Sequence, residues 1–131
     1  MIGRTYGPTT SGKHYLAVSY HQRTARRNPD KSRWAINERC QFELFSFSDD
    51  NKLHFPDAAV LVGLFKNCED TLGCDAERLA KFVAPPSGST EWHGFPVLSA
   101  EFNFTEEFLD YLEGIKLIDR RTRNRLVKCS I

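Results

Sequence analysis

Residues 13–47 read KHYLAVSYHQRTARRNPDKSRWAINERCQFELFSF, and we expect this stretch to decide the fold. Near its start, Leu16, Val18 and Tyr20 alternate with polar or small residues. Near its end, the even positions of residues 34–44 are apolar except for Glu38. Alternation with a period of two is typical of strands that bury one face, and two such strands in succession normally pair. The stretch therefore predicts a long β-hairpin.

The loop between the two predicted strands is basic. Its cations are Arg23, Arg26, Arg27 and Lys31, against the single acid Asp30. The tripeptide of residues 28–30, Asn-Pro-Asp, supplies turn chemistry at the tip. One interpretation is a solvated loop that keeps the protein soluble. The other is a clamp on phosphates or on an acidic protein surface.

Length and composition predict one globular α+β domain over residues 1–131, with 40% hydrophobic and 27% charged residues. The net charge of +1 hides an asymmetry, because the first forty residues hold eight Lys or Arg and two Asp or Glu. From residue 116 onward there are six basic residues and one acidic residue. Two basic segments could therefore meet on one face of the fold.

The compartment is predicted to be the cytoplasm. The first residues lack an apolar signal core, and no apolar run approaches the ~18 residues that a membrane span needs. The four cysteines lack Cys-x-x-Cys spacing, so we expect reduced thiols, with no metal and no cofactor, and Cys40 on the apolar side of its strand.

Residues 7–14 have the Gly-x-x-x-x-Gly-Lys frame of a phosphate-binding loop. In such loops a Ser or Thr follows the lysine and a helix begins there. Here His14 follows Lys13, and the next residues predict a strand. We interpret the match as a coincidence and the segment as a lead into the first strand.

The middle of the chain predicts two helices and a strand. Residues 56–67 begin with Pro56 and are apolar nearly all round, which indicates a buried central helix. Residues 75–83 predict a second helix capped by Asp75, and residues 84–90 predict a loop. Alternation over residues 98–104 predicts another strand.

Residues 92–97, Trp-His-Gly-Phe-Pro-Val, form the most distinctive hexapeptide. An aromatic pair around a glycine usually packs as a corner. If the protein is an enzyme, His93 is the first catalytic candidate and His14 the second, because imidazole acts as an acid or a base near neutral pH. His14 and His21 are an odd number of positions apart, so a continuous strand would point them to opposite faces.

The C-terminal region predicts two helices, one capped by Thr105 and ended by Gly114, the other capped by Asp119. The second is basic and carries Arg120, Arg121, Arg123 and Arg125. A DNA-reading helix-turn-helix is disfavoured because the apolar residues of the second helix lie only at its far end. The arginines could instead contact phosphates, or pair with the acids Glu106, Asp110 and Glu113 of the preceding helix.

These patterns together predict an α+β fold in which a mainly antiparallel sheet of four to five strands, with a basic-tipped hairpin, packs against three to four helices. The leading hypothesis is a small module that binds the phosphate backbone of nucleic acid through the basic loop and the basic C-terminal helix. The alternatives are a protein-interaction module, such as an inhibitor or immunity-type partner, and a small His-dependent nuclease or nucleotide-processing enzyme. The sequence leaves the oligomeric state open.

Overall fold

The computed structural model describes residues 3–18, 21–22, 25, 31–86 and 90–131. Within these residues the chain forms five strands and three α-helices. In chain order they are β1 (Gly3–Tyr6), β2 (His14–Val18), α1 (Glu38–Asp50), β3 (Val60–Gly63), β4 (Leu79–Val83), β5 (Glu91–Val97), α2 (Glu106–Gly114) and α3 (Arg120–Val127). Short 3-10 turns occupy Lys66–Cys68 and Ser99–Glu101.

The strands form one mixed sheet in the order β1-β2-β5-β4-β3. Three of its four pairings are antiparallel, namely β1 with β2, β5 with β4 and β4 with β3. The remaining pairing, β2 with β5, is parallel and sets His14 opposite Glu91 and Tyr15 opposite Trp92. The predicted α+β class with a mainly antiparallel sheet is confirmed.

Helix α1 covers one face of the sheet, where it packs against β2 and β3. The core beneath it is aromatic: the Phe82 ring meets those of Tyr15, Trp34 and Phe45 at centroid distances of 5.2–6.1 Å. Gly94 of β5 lies directly under Phe82, and a Cβ there would overlap the ring. All four rings are fully buried, which makes this face a tightly packed aromatic core.

Helices α2 and α3 pack against each other and against the opposite face of the sheet. Leu109 and Leu112 of α2 join Leu126 of α3 in a core with Val62 of β3 and Leu79 of β4. This second core lies over the β3–β4 side of the sheet. On the same face, the residues of β2 and β5 farther from α2 are half-buried.

The predicted strand of residues 34–44 is wrong, because α1 begins at Glu38. The Asn37 side chain caps this helix by accepting a hydrogen bond from the Cys40 backbone N–H. The buried positions of α1 include 41, 44, 45 and 48, which is helical spacing. The long hairpin therefore does not form, and β2 pairs with β1 and β5 instead. Cys40 is half-buried on α1.

Three more predicted elements in the middle of the chain are wrong. Residues 56–67 contain strand β3, which is buried on both faces and so looks apolar all round. Residues 75–83 end in strand β4, and residues 98–104 contain the 3-10 turn Ser99–Glu101. The predicted corner of residues 92–97 belongs to β5, a strand in the middle of the sheet. Residues 87–89 of the predicted loop lie outside the described residues.

The two C-terminal helices are confirmed together with their caps. Thr105 Oγ1 accepts from the Phe108 N–H at the start of α2, and Asp119 Oδ1 accepts from the Thr122 N–H at the start of α3. In the part of the chain that the structure describes, no helix has both the length and the apolar character needed to cross a membrane.

Candidate functional site

Strand β5 presents His93 and Phe95 on the face of the sheet that α2 and α3 cover only in part. Successive side chains of a strand point to opposite faces, so Trp92 and Gly94 are buried toward α1. His93 and Phe95 are half-buried on the other face. The hexapeptide thus holds core residues and accessible residues in alternation.

His21 lies against this part of the sheet. Its ring stacks on Phe95 with a centroid distance of 5.2 Å and an interplanar angle of 20°. Its Nδ1 is 2.6 Å from the Ser32 carbonyl oxygen, and because a carbonyl only accepts, Nδ1 carries the hydrogen. Strand β2 ends at Val18, so the expectation that His14 and His21 point to opposite faces of one strand does not apply.

Lys31 is close enough to act electrostatically on both histidines. Burial lowers the pKa of His93 below its ordinary 6.5, and the charge of Lys31 lowers it further. Burial also lowers the pKa of His21; the hydrogen bond to Ser32 opposes this effect, and Lys31 and His93 add to it. Both imidazoles are therefore mainly neutral at pH 7, and the exposed Lys31 supplies positive charge. We call His21, Lys31, His93 and Phe95 the histidine face.

His14 starts β2 on the same face of the sheet, opposite Glu91. It is half-buried, and within the described part of the chain its Nδ1 has no hydrogen-bond partner. Glu91 accepts a short hydrogen bond from Thr5 of β1, so an acidic group borders the β1 side of this face. Of the two catalytic candidates, the structure places His93 beside a second imidazole and a cation.

The predicted contacts of Arg23, Arg26 and Arg27 lie outside the described residues and stay predictions. Residues His21 and Lys31, which bracket this basic segment in the sequence, both belong to the histidine face.

The cations of α3 are engaged partly within the molecule. Arg123 Nη1 lies 2.5 Å from Asp110 and 2.8 Å from Glu113, both on α2, and these hydrogen bonds raise its pKa. Arg120 lies 3.5 Å from Glu113. The interpretation that the α3 arginines pair with acids of the preceding helix is confirmed for these two. Arg121 is exposed and Arg125 is half-buried, and their predicted contacts with nucleic acid stay predictions.

The segment that resembles a phosphate-binding loop is tied to α1 by Asp49. Lys13 Nζ lies 2.7 Å from Asp49 Oδ1, while Thr9 and Ser11 donate to Oδ2 at 2.7 and 2.5 Å. Burial alone would raise the pKa of Asp49, but hydrogen bonds from Lys13, Ser11 and Thr9 bring it below the ordinary 3.8. This lysine is committed to a carboxylate, and strand β2 follows it, so the motif match is structural coincidence.

No cluster of three or more metal-ligating side chains occurs among the described residues. The four cysteines are unpaired there, with Cys68 buried and Cys74 and Cys129 exposed. Burial raises the pKa of the Cys68 thiol to about 12, so it stays protonated and packs as an apolar residue.

Comparisons of the chain with protein-family models, with curated proteins and with solved structures found no match. Its function is therefore inferred from its own geometry.

Proposed function

We propose that the protein binds nucleic acid through the phosphate backbone, using the histidine face and the adjoining basic segment. The single observation that supports this function is that the exposed Lys31 lies near the half-buried His93 and near His21, which is buried against Phe95. Lys31 gives this face a positive charge, and the sequence places three arginines between it and His21. A cation cluster on a rigid sheet is a common way to position phosphates.

Stacking is the second contribution that we expect from this face. Phe95 and His93 are half-buried, while His21 is buried and covers one face of the Phe95 ring. Unpaired bases stack on aromatic and imidazole rings in many single-stranded nucleic-acid sites. We therefore propose single-stranded RNA or DNA as the form that is bound. We assign the α3 arginines that pair with carboxylates of α2 to stabilising the fold, and not to binding nucleic acid.

The test is a fluorescence titration with a labelled single-stranded oligonucleotide over a range of salt concentrations. The logarithm of the association constant should fall linearly with the logarithm of the salt concentration. Lys31→Gln should weaken binding several-fold and make the slope shallower by about one. Lys128→Gln, which removes an exposed lysine after α3, is the matched control and should have a much smaller effect.

Two results would contradict the proposal: no binding at low salt, or affinity that does not respond to salt. An acidic protein partner would also engage Lys31, and it is recognised by co-purification with the protein after nuclease treatment. That outcome would favour the protein-interaction module over nucleic-acid binding.

A second candidate is phosphodiester cleavage without a metal, and the pair of histidines specifically favours it. A neutral imidazole accepts a proton from a nucleophile, and the imidazolium that forms donates a proton to the leaving oxygen. Cleavage of RNA in the presence of EDTA, lost in His93→Ala and absent with a 2′-deoxy oligonucleotide, would support an attack by the 2′-hydroxyl. Binding without any cleavage would restrict the function to nucleic-acid binding.

A further inference from the structure

A cavity of about 520 Å³ lies between α1, the segment that follows β3 and the connection from α2 to α3. Its walls are mainly apolar: Leu44, Phe47, Leu64, Phe65, Ile115 and Leu117. Cavities of 300–1,000 Å³ with apolar walls and a few polar groups are typical of small-molecule sites. The histidine face contributes none of these residues, so this cavity is separate from the proposed nucleic-acid site.

The rim of the cavity exposes large apolar side chains. Phe47 is 40% exposed and Ile115 is 37% exposed, one on α1 and the other just after α2. A ligand that covered both side chains would remove their apolar surface from water, which is favourable at roughly 25 cal/mol per Å². The rim thus adds apolar contact area to that of the interior.

Two lysines lie at the same cavity. Lys66 and Lys116 are both exposed, and in the described part of the chain neither has a carboxylate oxygen within 4 Å. Glu43 also borders the cavity, but its carboxylate lies 3.7 Å from Arg39 of the same helix. Among the residues that line the cavity, two lysines outnumber one carboxylate, so the lining carries a net positive charge. Glu113 and Asp119 lie beside the same two lysines in an adjoining pocket.

The loops that carry these lysines are joined by hydrogen bonds. The Asn67 N–H donates to the Leu117 carbonyl at 2.9 Å, and the Asn67 side chain accepts from the Asp119 N–H at 2.8 Å. Lys116 and Asn67 both have φ near +60°, a turn conformation that is held here by these bonds. The two lysines therefore start from backbones at a fixed separation, which limits the entropy lost on binding a shared anion.

We propose that this cavity binds a small amphipathic carboxylate. The aliphatic or aromatic body would lie against Phe47, Phe65 and Ile115, and the carboxylate would lie between Lys66 and Lys116. Charge-assisted hydrogen bonds from ammonium groups are stronger than neutral ones, so the anion gives orientation as well as affinity. This inference is independent of the proposed nucleic-acid function.

The test is a titration of the full chain with decanoate, followed by amide chemical shifts in NMR and by calorimetry. Decyltrimethylammonium, which has the same chain and the opposite charge, is the control ligand. Decanoate should bind and shift the amides of Phe47, Ile115 and Lys116, whereas the cationic ligand should bind at least tenfold more weakly. Equal binding of both ligands, or shifts elsewhere only, would overturn the proposal.

The double variant Lys66→Gln/Lys116→Gln should weaken decanoate binding about tenfold or more. The matched control is Lys52→Gln/Lys128→Gln, which removes the same charge from exposed positions that do not line this cavity. Ile115→Glu, at an exposed position that should tolerate the change, is expected to abolish binding. Unchanged affinity in either cavity variant would overturn the carboxylate assignment.

A second copy of the chain could cover the apolar rim in place of a small molecule. Sedimentation velocity distinguishes it: a dimer that dissociates in Ile115→Glu would show that the cavity is an interface, and would overturn the proposal. A monomer at all concentrations, together with decanoate binding, supports it. Loss of nucleic-acid binding in Lys31→Gln leaves both outcomes unaffected, so the two sites are tested separately.

Discussion

The two faces of the sheet differ in how completely they are buried, and strand β5 shows the difference within seven residues. Toward α1, Trp92 and Gly94 pack into an aromatic core. Toward α2 and α3, His93 and Phe95 stay half-buried beside Lys31. Alternate residues of one strand therefore lie in a fully buried core on one face and in a half-buried region on the other, and substitutions on the two faces should have different effects.

The largest expected difference is between two phenylalanines. Phe82→Ala removes a ring that is fully buried among three others and should cost about 3–5 kcal/mol of unfolding free energy. Phe95→Ala, on the histidine face, should cost roughly half as much or less, because the ring is half-buried. Urea unfolding followed by circular dichroism measures both, and equal losses would remove the contrast between the faces.

Two glycines test the closeness of packing. Gly94→Ala places a methyl group into the Phe82 ring and should destabilise the protein by about 1–3 kcal/mol. Gly114→Ala, at the end of α2 with open space around it, should stabilise by up to about 1 kcal/mol. Thermal unfolding of both variants is the measurement. An unchanged stability in Gly94→Ala would show that the α1 face is less tightly packed than the close approach of Gly94 to Phe82 indicates.

The ion pair and hydrogen bonds of Asp49 on α1 make part of the unfolding free energy depend on pH. Asp49→Asn removes the charge that Lys13 faces and should cost about 2 kcal/mol at pH 7. Because the folded pKa of Asp49 is lower than its ordinary 3.8, its contribution is complete above that pH and is lost as the pH falls through the folded pKa. The difference between the wild type and the variant in urea should therefore shrink toward zero in acid. A constant difference would contradict the ion pair.

The smallest expected effect lies on the histidine face. The folded pKa values of His21 and His93 are below 6.5, so the unfolded chain binds more protons as the pH falls past 6.5. Stability should be complete above pH 6.5 and should decline as the pH falls toward the folded values. His93→Gln should reduce that decline when urea midpoints are compared between pH 8 and pH 5. A stability that rises below pH 6.5 would contradict the direction of both shifts.

The C-terminal helices were predictable because their signals are local. Thr105 and Asp119 are standard N-caps, and each starts its helix as expected. The acids of α2 and the arginines of α3 also predicted the ion pairs around Arg123. For this region, residues close together in the sequence were sufficient to predict the helices and their ion pairs.

The errors in the middle of the chain arise where one pattern fits two structures. In α1, Cys40, Phe42 and Leu44 mimic strand alternation, while the stronger signal was the Asn37 cap followed by apolar residues at 44 and 45. In β3, Val60, Leu61 and Val62 are all buried because both faces are covered, and periodicity does not separate such a strand from a buried helix.

The histidine face could not be predicted from local patterns at all. His21 and His93 are 72 positions apart, and they meet only because β2 and β5 pair in parallel. No signal near either histidine predicts that pairing. The sequence did indicate His93 and Lys31 as candidates by residue type, but it could not show that they are neighbours.

The parallel neighbours β2 and β5 also have a consequence for the order of assembly. The ribbon of β1 and β2 is made before β5, yet among the described strands β5 is the other one that it borders in the sheet, and β5 follows some seventy residues later. Contacts so distant in sequence form slowly, because a long loop must close first. During synthesis the edge of β2 that pairs with β5 therefore stays unpaired until β5 is made, and a chaperone that shields residues 14–18 would have its greatest effect in that interval.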